Sequence, residues 1–422
     1  MTSKLVVVGQ GYVGLPMALR AAESGLKVHG LDTNTATVER LNAGRSHIDD
    51  VSDDDLKRGL AAGFEATTDP AVVADADVVL VCVPTPLAEE GGPDLGAVRK
   101  AAESIGTHLT PGTLAILEST TYPGTTEEVF APLLTASGLE VGSDVFIAFS
   151  PERIDPGNER YGVRNTPKVV GGLTEECTRR AAAFYGQFVD TVVQAKGARE
   201  AEMSKLIENT FRHVNIALVN EMLRFSHELD IDLWNAIDCA ETKPFGYMAF
   251  RPGPGVGGHC IPVDPSYLSH RVKAQLGYSF RMVELAEEIN TAAPLYVANR
   301  LRDLLNEGER SVKGSRILLL GVTYKANISD CRESPADPLA KQLLAWGADL
   351  SYHDPYVPVW RPHGVDSSFD VVPDLDEAVR AADAVVLLQT HAEYALDDLA
   401  DASAVLLDTR GALAGHPRAV VL

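Results

Sequence analysis

Apolar residues in this chain gather in two sets of similar runs. Near the N-terminus, Leu5, Val6, Val7 and Val8 form a mostly β-branched block. Gly9, Gly11 and Gly14 follow, then a stretch with helical spacing, then a second block, KVHGLD, that ends in Asp32. Unbroken apolar runs return in DADVVLVCVPTP (75–86), GTLAILESTTYPG (112–124) and DVFIAFSPER (144–153). A continuous run, rather than an alternating one, predicts a parallel strand covered on both faces. The far end repeats the order with SRILLLGVTYK (315–325), ADLSYHDP (348–355), AADAVVLLQTH (381–391) and SAVLLDTRG (403–411). Between the sets lies AREAEMSKLIENTFRHVNIALVNEMLRFSHELD, where Leu206, Thr210, Val214, Ala217 and Met222 keep helical spacing over about thirty residues. That exceeds the usual length of a globular helix.

The pattern predicts an α/β chain of two Rossmann-like, doubly wound parallel-sheet domains joined by a central helical region with one long helix. The expected boundaries are 1–197, 198–310 and 311–422. In the first domain the glycines have the GxGxxG spacing between strand and helix, with Asp32 about twenty residues on. Gly9 permits a tight turn, Gly11 lets a pyrophosphate approach the backbone, and Gly14 lets helix and strand lie close. The helix start offers unpaired N–H groups to phosphate. An acid at position 32 accepts from a ribose diol and repels a 2′-phosphate, so NAD is expected rather than NADP. Ligands of such sheets lie beyond the C-terminal strand ends, which places Pro84, Thr85, Ser119, Thr120 and Glu152 along one crevice. The second domain lacks GxGxxG and is expected to bind a mononucleotide.

Composition narrows the function. The net charge of −22 disfavours nucleic acid as a partner. No apolar run approaches the roughly 20 residues needed to span a bilayer. The opening MTSKLVVVGQGYVG has no cationic segment before an apolar one and no cleavage site, so no signal peptide is expected. The five cysteines, Cys82, Cys177, Cys239, Cys260 and Cys331, are odd in number and form no CxxC pair. This argues against a disulfide framework and a structural metal site, and for a reducing cytoplasm.

Two features carry candidate chemistry. Lys205 and Asn209 are one helical turn apart and share a face. They read either as a solvated lysine beside a capping amide, which spacing alone favours, or as a pair that polarises one substrate oxygen. Cys260 lies in PGPGVGGHCIPVDPSY (252–267), a segment whose prolines and glycines predict neither a helix nor a central strand. A lone cysteine is commonly inert, but a thiol on a rigid loop, with Asp264 four residues on, also suits covalent catalysis. NAD and a thiol together would allow an alcohol to be oxidised twice. The aldehyde is trapped as a thiohemiacetal, the thiohemiacetal is oxidised to a thioester, and water releases the acid.

GQGYVGLP, VCVPTPL, ESTTYPGTTEE, SPERIDPGN, KLIENTFRHVNIALVNE, TKPFGY, PGPGVGGHCIPVDPSYL and GVTYKANISDCRESP span nearly the whole chain in order. Together they resemble the nucleotide-sugar 6-dehydrogenases, the family of the UDP-glucose and UDP-N-acetylhexosamine dehydrogenases. The resemblance implies a cytoplasmic, homo-oligomeric enzyme of polysaccharide biosynthesis, with no metal. It would oxidise a UDP-sugar C6 hydroxyl to a carboxylate with two NAD in turn. Cys260 would be the nucleophile, Lys205 and Asn209 the oxyanion holders, Asp264 a proton-transfer group, and Thr120 and Glu152 the residues that order the hydrolytic water. Tyr12, Val13 and Arg332 would join Gly9, Gly11, Gly14, Asp32, Pro84, Thr85, Ser119 and Thr120 around NAD. Phe250, Arg251, Gly257, Lys325 and Arg410 would join Glu152, Lys205 and Asn209 around the substrate. Where UDP-glucose enzymes carry a second glutamate, this chain has Pro156. SPERIDPGN looks like the N-acetylhexosamine branch, and TKPFGY with HCIPVDPSYL looks more like UDP-N-acetylglucosamine 6-dehydrogenase than UDP-N-acetylmannosamine dehydrogenase.

Two other readings stay open on the residues. A single-hydride dehydrogenase of the hydroxyacid kind would need no cysteine. A non-enzymatic NAD-binding protein would need Gly9, Gly11, Gly14 and Asp32 but not Lys205, Asn209, Cys260 and Asp264.

Overall fold

A computed structural model of the chain describes residues 3–49, 51–88, 92–155, 158, 160–258 and 260–422, and Pro156 lies outside them. Cys260 is described by its backbone alone. The chain forms two compact units, one of Met1–Glu208 with Ser266–Gly277, the other of Asn209–Pro265 with Tyr278–Leu422.

The first unit is built on eight strands: β1 (Lys4–Val8), β2 (Lys27–Leu31), β3 (Phe64–Thr67), β4 (Val78–Val81), β5 (Leu114–Leu117), β6 (Phe146–Phe149), β7 (Lys168–Gly172) and β8 (Val192–Gln194). Their order is β3-β2-β1-β4-β5-β6-β7-β8, parallel except where β7 runs against β6. The apolar runs are continuous because both faces are covered. Leu5, Val7, Val28, Leu80 and Ile116 enter one core, which includes residues of the helices Gly14–Glu23 and Glu175–Tyr185. Val6, Val8, Val79, Val81, Ala115 and Leu117 enter another on the opposite face, with the helix Gly96–Gly106. Each fully buried Val or Leu contributes roughly 1.5–3 kcal/mol, so a strand with both faces buried tolerates few polar substitutions.

The second unit has β9 (Arg316–Leu320), β10 (Asp349–His353), a two-stranded ribbon of β11 (Val359–Trp360) and β12 (Phe369–Asp370), then β13 (Ala384–Leu387), β14 (Leu406–Asp408) and β15 (Ala419–Val421). The main sheet is parallel, in the order β10-β9-β13-β14-β15. As in the first unit, Ile317 and Leu319 serve one core, and Leu318 and Leu320 the other.

The long helix runs over Ala198–Glu228, 31 residues. One sequence expectation is corrected. PGPGVGGHCIPVDPSY is not irregular throughout, because a helix, Cys260–Leu276, begins at the cysteine. Pro262 falls in its first turn, where the missing N–H has no acceptor within the helix. Pro265 lies inside the helix and removes one hydrogen bond. Only the glycine-rich half, up to Gly258, remains loop.

Candidate active site

The dinucleotide turn is built as its sequence requires. Gly9 has φ +89°, and a Cβ there would lie 2.5 Å from the Cys82 carbonyl oxygen. A Cβ on Gly14 would lie 1.8 Å from the Gly9 carbonyl oxygen. A Cβ on Gly11 would meet nothing within 4 Å, so a bare surface adjoins the helix start. That helix, Gly14–Glu23, has no side-chain cap and no acid in its first turn. Its free N–H groups and positive dipole end therefore suit a pyrophosphate. The Asp32 carboxylate accepts from the backbone N–H groups of Gln10 and Asn34, both at 2.9 Å, which fixes it at the end of β2. These residues fit a dinucleotide. Tyr12 and Val13 precede the helix and are half-buried.

The crevice residues divide by burial. Ser119 Oγ accepts from Val83 N at 2.9 Å and donates to Val83 O at 2.7 Å, which ties the ends of β4 and β5 together. Thr85 is buried, and its carbonyl accepts the Tyr267 hydroxyl, whereas Pro84 is exposed and Thr120 half-buried. Glu152 lies three residues past β6 and is buried. Its carbonyl oxygen accepts from Lys205 Nζ at 2.5 Å. Lys205 is itself only 8% exposed, so the solvated reading that spacing favoured is wrong. Its amine lies within the first unit instead.

Behind Glu152 stands a buried charged cluster. Lys168 Nζ is 3.4 Å from Glu152 Oε2 and forms an ion pair with Glu118. Glu118 also accepts from the Tyr185 hydroxyl at 2.6 Å and from the Cys82 thiol at 3.5 Å. Burial raises the Glu118 carboxyl against the pull of Lys168. Burial alone would lower the lysine, but Glu118 and Glu152 outweigh it and hold the ammonium above its ordinary value.

In the second unit, Asn209 Nδ2 donates to the Asp264 carboxylate, so these two expected site residues meet. The glycine loop before Cys260 is fastened at several points. Gly253 N donates to Asn220 Oδ1 at 3.0 Å, and Gly258 N to the Arg332 carbonyl at 3.0 Å. A Cβ on Gly257 would lie 2.6 Å from Tyr324 Cβ. Arg410 donates from Nε to the Leu388 carbonyl at 2.6 Å, and its guanidinium lies close to Gly253. Phe250 packs edge-on to Phe211 at 5.7 Å. Lys325 sits on a turn closed by Thr323 Oγ1, which donates to the Lys325 carbonyl at 2.8 Å. Arg251 is held by Asp238 and Glu241, and Arg332 by Asp330, so an anion at either site competes with a carboxylate.

The thiols are not equivalent. Burial, then Glu118, pushes Cys82 up. Burial pushes Cys331 up to about 12. Cys177 is buried and accepts from Ile147 N and Thr174 Oγ1. Cys239 is exposed on the helix Leu233–Glu241. Cys260 is the first residue of the helix Cys260–Leu276.

Several residues escaped the sequence reading. Lys168, Glu118 and Tyr185 lie far apart in the chain, and the one hint was a charged residue abutting an apolar run, in LAILEST and in KVVGG. Glu202 is buried and accepts from Gly124 N at 2.6 Å and Thr126 N at 2.8 Å, which anchors the turn after β5 to the long helix. Among the described residues no group of three or more His, Cys, Asp or Glu could hold a metal ion. No described helix is long and apolar enough to cross a membrane.

Comparison with known proteins gives the family. Residues 3–189 match the NAD binding domain of the UDP-glucose/GDP-mannose dehydrogenase family, residues 199–292 its central domain, and residues 318–415 its UDP binding domain. A UDP-N-acetyl-D-mannosamine dehydrogenase of Methanocaldococcus jannaschii is 33% identical, covering 97% of this chain and 92% of its own. A UDP-N-acetyl-D-glucosamine 6-dehydrogenase of Pseudomonas aeruginosa is 34% identical over 93% of this chain and 91% of its own. The solved structure of a UDP-D-ManNAc dehydrogenase from Pyrococcus horikoshii superposes with a TM-score of 0.87 at 31% identity, covering 96% of this chain and 95% of that one.

Proposed function

This chain belongs to the UDP-glucose/GDP-mannose dehydrogenase family and is an NAD-dependent UDP-sugar dehydrogenase, and we propose that it oxidises the C6 hydroxyl of a UDP-N-acetylhexosamine to a carboxylate. The observation that carries the reading is Lys205, a buried ammonium held at the end of β6 beside Glu152. A buried amine is costly unless it serves a charge, and here charge develops on the sugar oxygen.

NAD, when bound, accepts a hydride from C6. Gly9, Gly11 and Gly14 would hold its pyrophosphate and Asp32 its ribose. Lys205 and Asn209 stabilise the oxyanion that forms as the alcohol loses its proton and as the thiol adds. The Cys260 thiolate attacks the C6 aldehyde and retains it as a thiohemiacetal, then as a thioester after the second oxidation. Asp264, oriented by Asn209, accepts and returns the proton exchanged with that oxyanion. Water then attacks the thioester carbonyl. Its proton passes to Glu152, aided by Thr120, the C–S bond breaks, and thiolate and acid are released. Lys325 and Arg410 would bind the UDP diphosphate.

UDP-N-acetylglucosamine is the preferred sugar on the TKPFGY and HCIPVDPSYL motifs. UDP-N-acetylmannosamine is the second reading, supported by the mannosamine relatives. NADH release from UDP-glucose, UDP-GlcNAc, UDP-GalNAc and UDP-ManNAc, compared as kcat/KM, decides between them. Preference for UDP-glucose overturns the N-acetyl assignment. Acid formation that survives Cys260→Ser overturns the covalent route. Phe211, Leu218 and Phe225, seven residues apart on the long helix and exposed, support a homodimer through that helix.

A further inference from the structure

Glu152 is held at three points, one of them the Ile154 N–H, which donates to its carboxylate. Lys205 takes its carbonyl oxygen at 2.5 Å, and Lys168 stands 3.4 Å from its carboxylate. Lys168 is the first residue of β7, Glu118 follows β5 and Glu152 lies just past β6, so three successive strands of one sheet bring two carboxylates to one ammonium. Lys168 and Glu118 side chains are 6% and 0% exposed. Burying such a pair costs several kcal/mol of desolvation, and apolar residues of similar volume are commonly as stable or more so. Stability alone therefore gives weak grounds for this pair. What the pair does have is a third member, Glu152, with a single ammonium shared between two carboxylates.

We propose that Lys168, fixed by Glu118 and the Tyr185 hydroxyl, is a positioning residue that holds and aims the Glu152 carboxylate for thioester hydrolysis. This rests on Glu152 acting as the base of that step. In the step, the water oxygen bonds to the thioester carbonyl carbon, the water proton moves to Glu152, and the C–S bond breaks with its electrons on the Cys260 sulfur. Without Lys168, the Glu152 carboxylate loses the ammonium that stands 3.4 Å from its Oε2 and with it that constraint on its aim toward the water. Glu118 faces the same ammonium, so the two acids compete for it. Tyr185 and Cys82 also donate to Glu118, which fixes the carboxylate that pairs with Lys168, and from that pair the ammonium still stands 3.4 Å from Glu152.

The test uses the full-length enzyme with NAD and the best UDP-sugar of the panel. Lys168→Met alone strands two buried acids, so the pair is removed together as Lys168→Met/Glu118→Gln. Lys168→Gln/Glu118→Gln serves if the first variant does not fold. Expected is an undiminished burst of two NADH per subunit, steady-state turnover lower by roughly tenfold to a hundredfold, and a sugar adduct on Cys260 accumulating in the intact mass. Unchanged steady-state turnover in the folded variant overturns the proposal, and so does loss of the burst, which would place the pair in the oxidation steps or in general packing. Glu152→Gln separates the two levels. If it turns over like wild type, Glu152 is not the base and both fall. If it is slowed while the pair variant is not, only the role of Lys168 falls.

Discussion

Lys205 Nζ donates to the main-chain carbonyl of Glu152, joining a lysine of the long helix to the residue just beyond β6 across 53 positions of sequence. The bond leaves two N–H donors of the ammonium for other acceptors. Losing that charge in a buried site removes both the local bond and the oxyanion stabilisation proposed for it. Lys205→Met is expected to lower kcat by about 10²–10³, with a much smaller change in KM. A fall in kcat/KM matched by an equal rise in KM with kcat unchanged, measured by steady-state NADH formation, would instead mark a binding role.

The glycines of the first turn differ in what surrounds them, and the difference is measurable. Gly11→Ala meets no protein atom, so the fold should melt within a few degrees of wild type while NAD affinity falls at least about tenfold through steric exclusion of the pyrophosphate. Gly14→Ala drives a Cβ into the Gly9 carbonyl and is expected to destabilise the unit by about 1–3 kcal/mol. Calorimetric melting and NAD titration check both, and an unaltered NAD affinity in Gly11→Ala refutes the first.

His213 is buried on the long helix, with Glu287 Oε2 at 3.5 Å and Asn290 Nδ2 at 3.4 Å from its ring nitrogens. Burial lowers its pKa to about 4, and Glu287 is raised by burial, so the pair is not a strong ion pair. The unfolded chain therefore binds the histidine proton first as the pH drops. The stability that neutral His213 provides is complete above about pH 6.5 and is lost as pH falls toward 4. His213→Gln should melt with a shallower pH dependence between pH 6.5 and 4 than wild type, by on the order of 3 kcal/mol over the window. Parallel melting profiles refute this.

Phe211, Leu218 and Phe225 lie on an exposed stripe of the long helix. If they meet a second copy, Leu218→Glu/Phe225→Glu yields a monomer by light scattering, with NAD binding by the first unit retained. A variant that scatters with the mass of the parent excludes this face as the interface.

The legibility of the chain varied with the range of the forces involved. The strand and helix of the first turn were readable because Gly9, Gly11, Gly14 and Asp32 act within about twenty-five residues, and Gly9 and Gly14 are demanded by backbone geometry. The loop before Cys260 was only half readable. Proline and glycine frequencies pointed to irregular structure, yet Pro262 sits in the one helical turn that tolerates it. The state of Lys205 was misjudged for a different reason. Spacing tells which face a side chain shares, but not what lies opposite that face.

The sequence by itself determined the strands, the dinucleotide turn and the order of the motifs, because hydrophobic periodicity and glycine sterics are properties of neighbouring residues. Tertiary structure alone decided the company of the charges. Lys168, Glu118 and Glu152 come from three separate segments, and only the order of β5, β6 and β7 brings them within reach. In that dry interior an ammonium between two carboxylates keeps its charge, a condition that residue spacing cannot express because it depends on the removal of water.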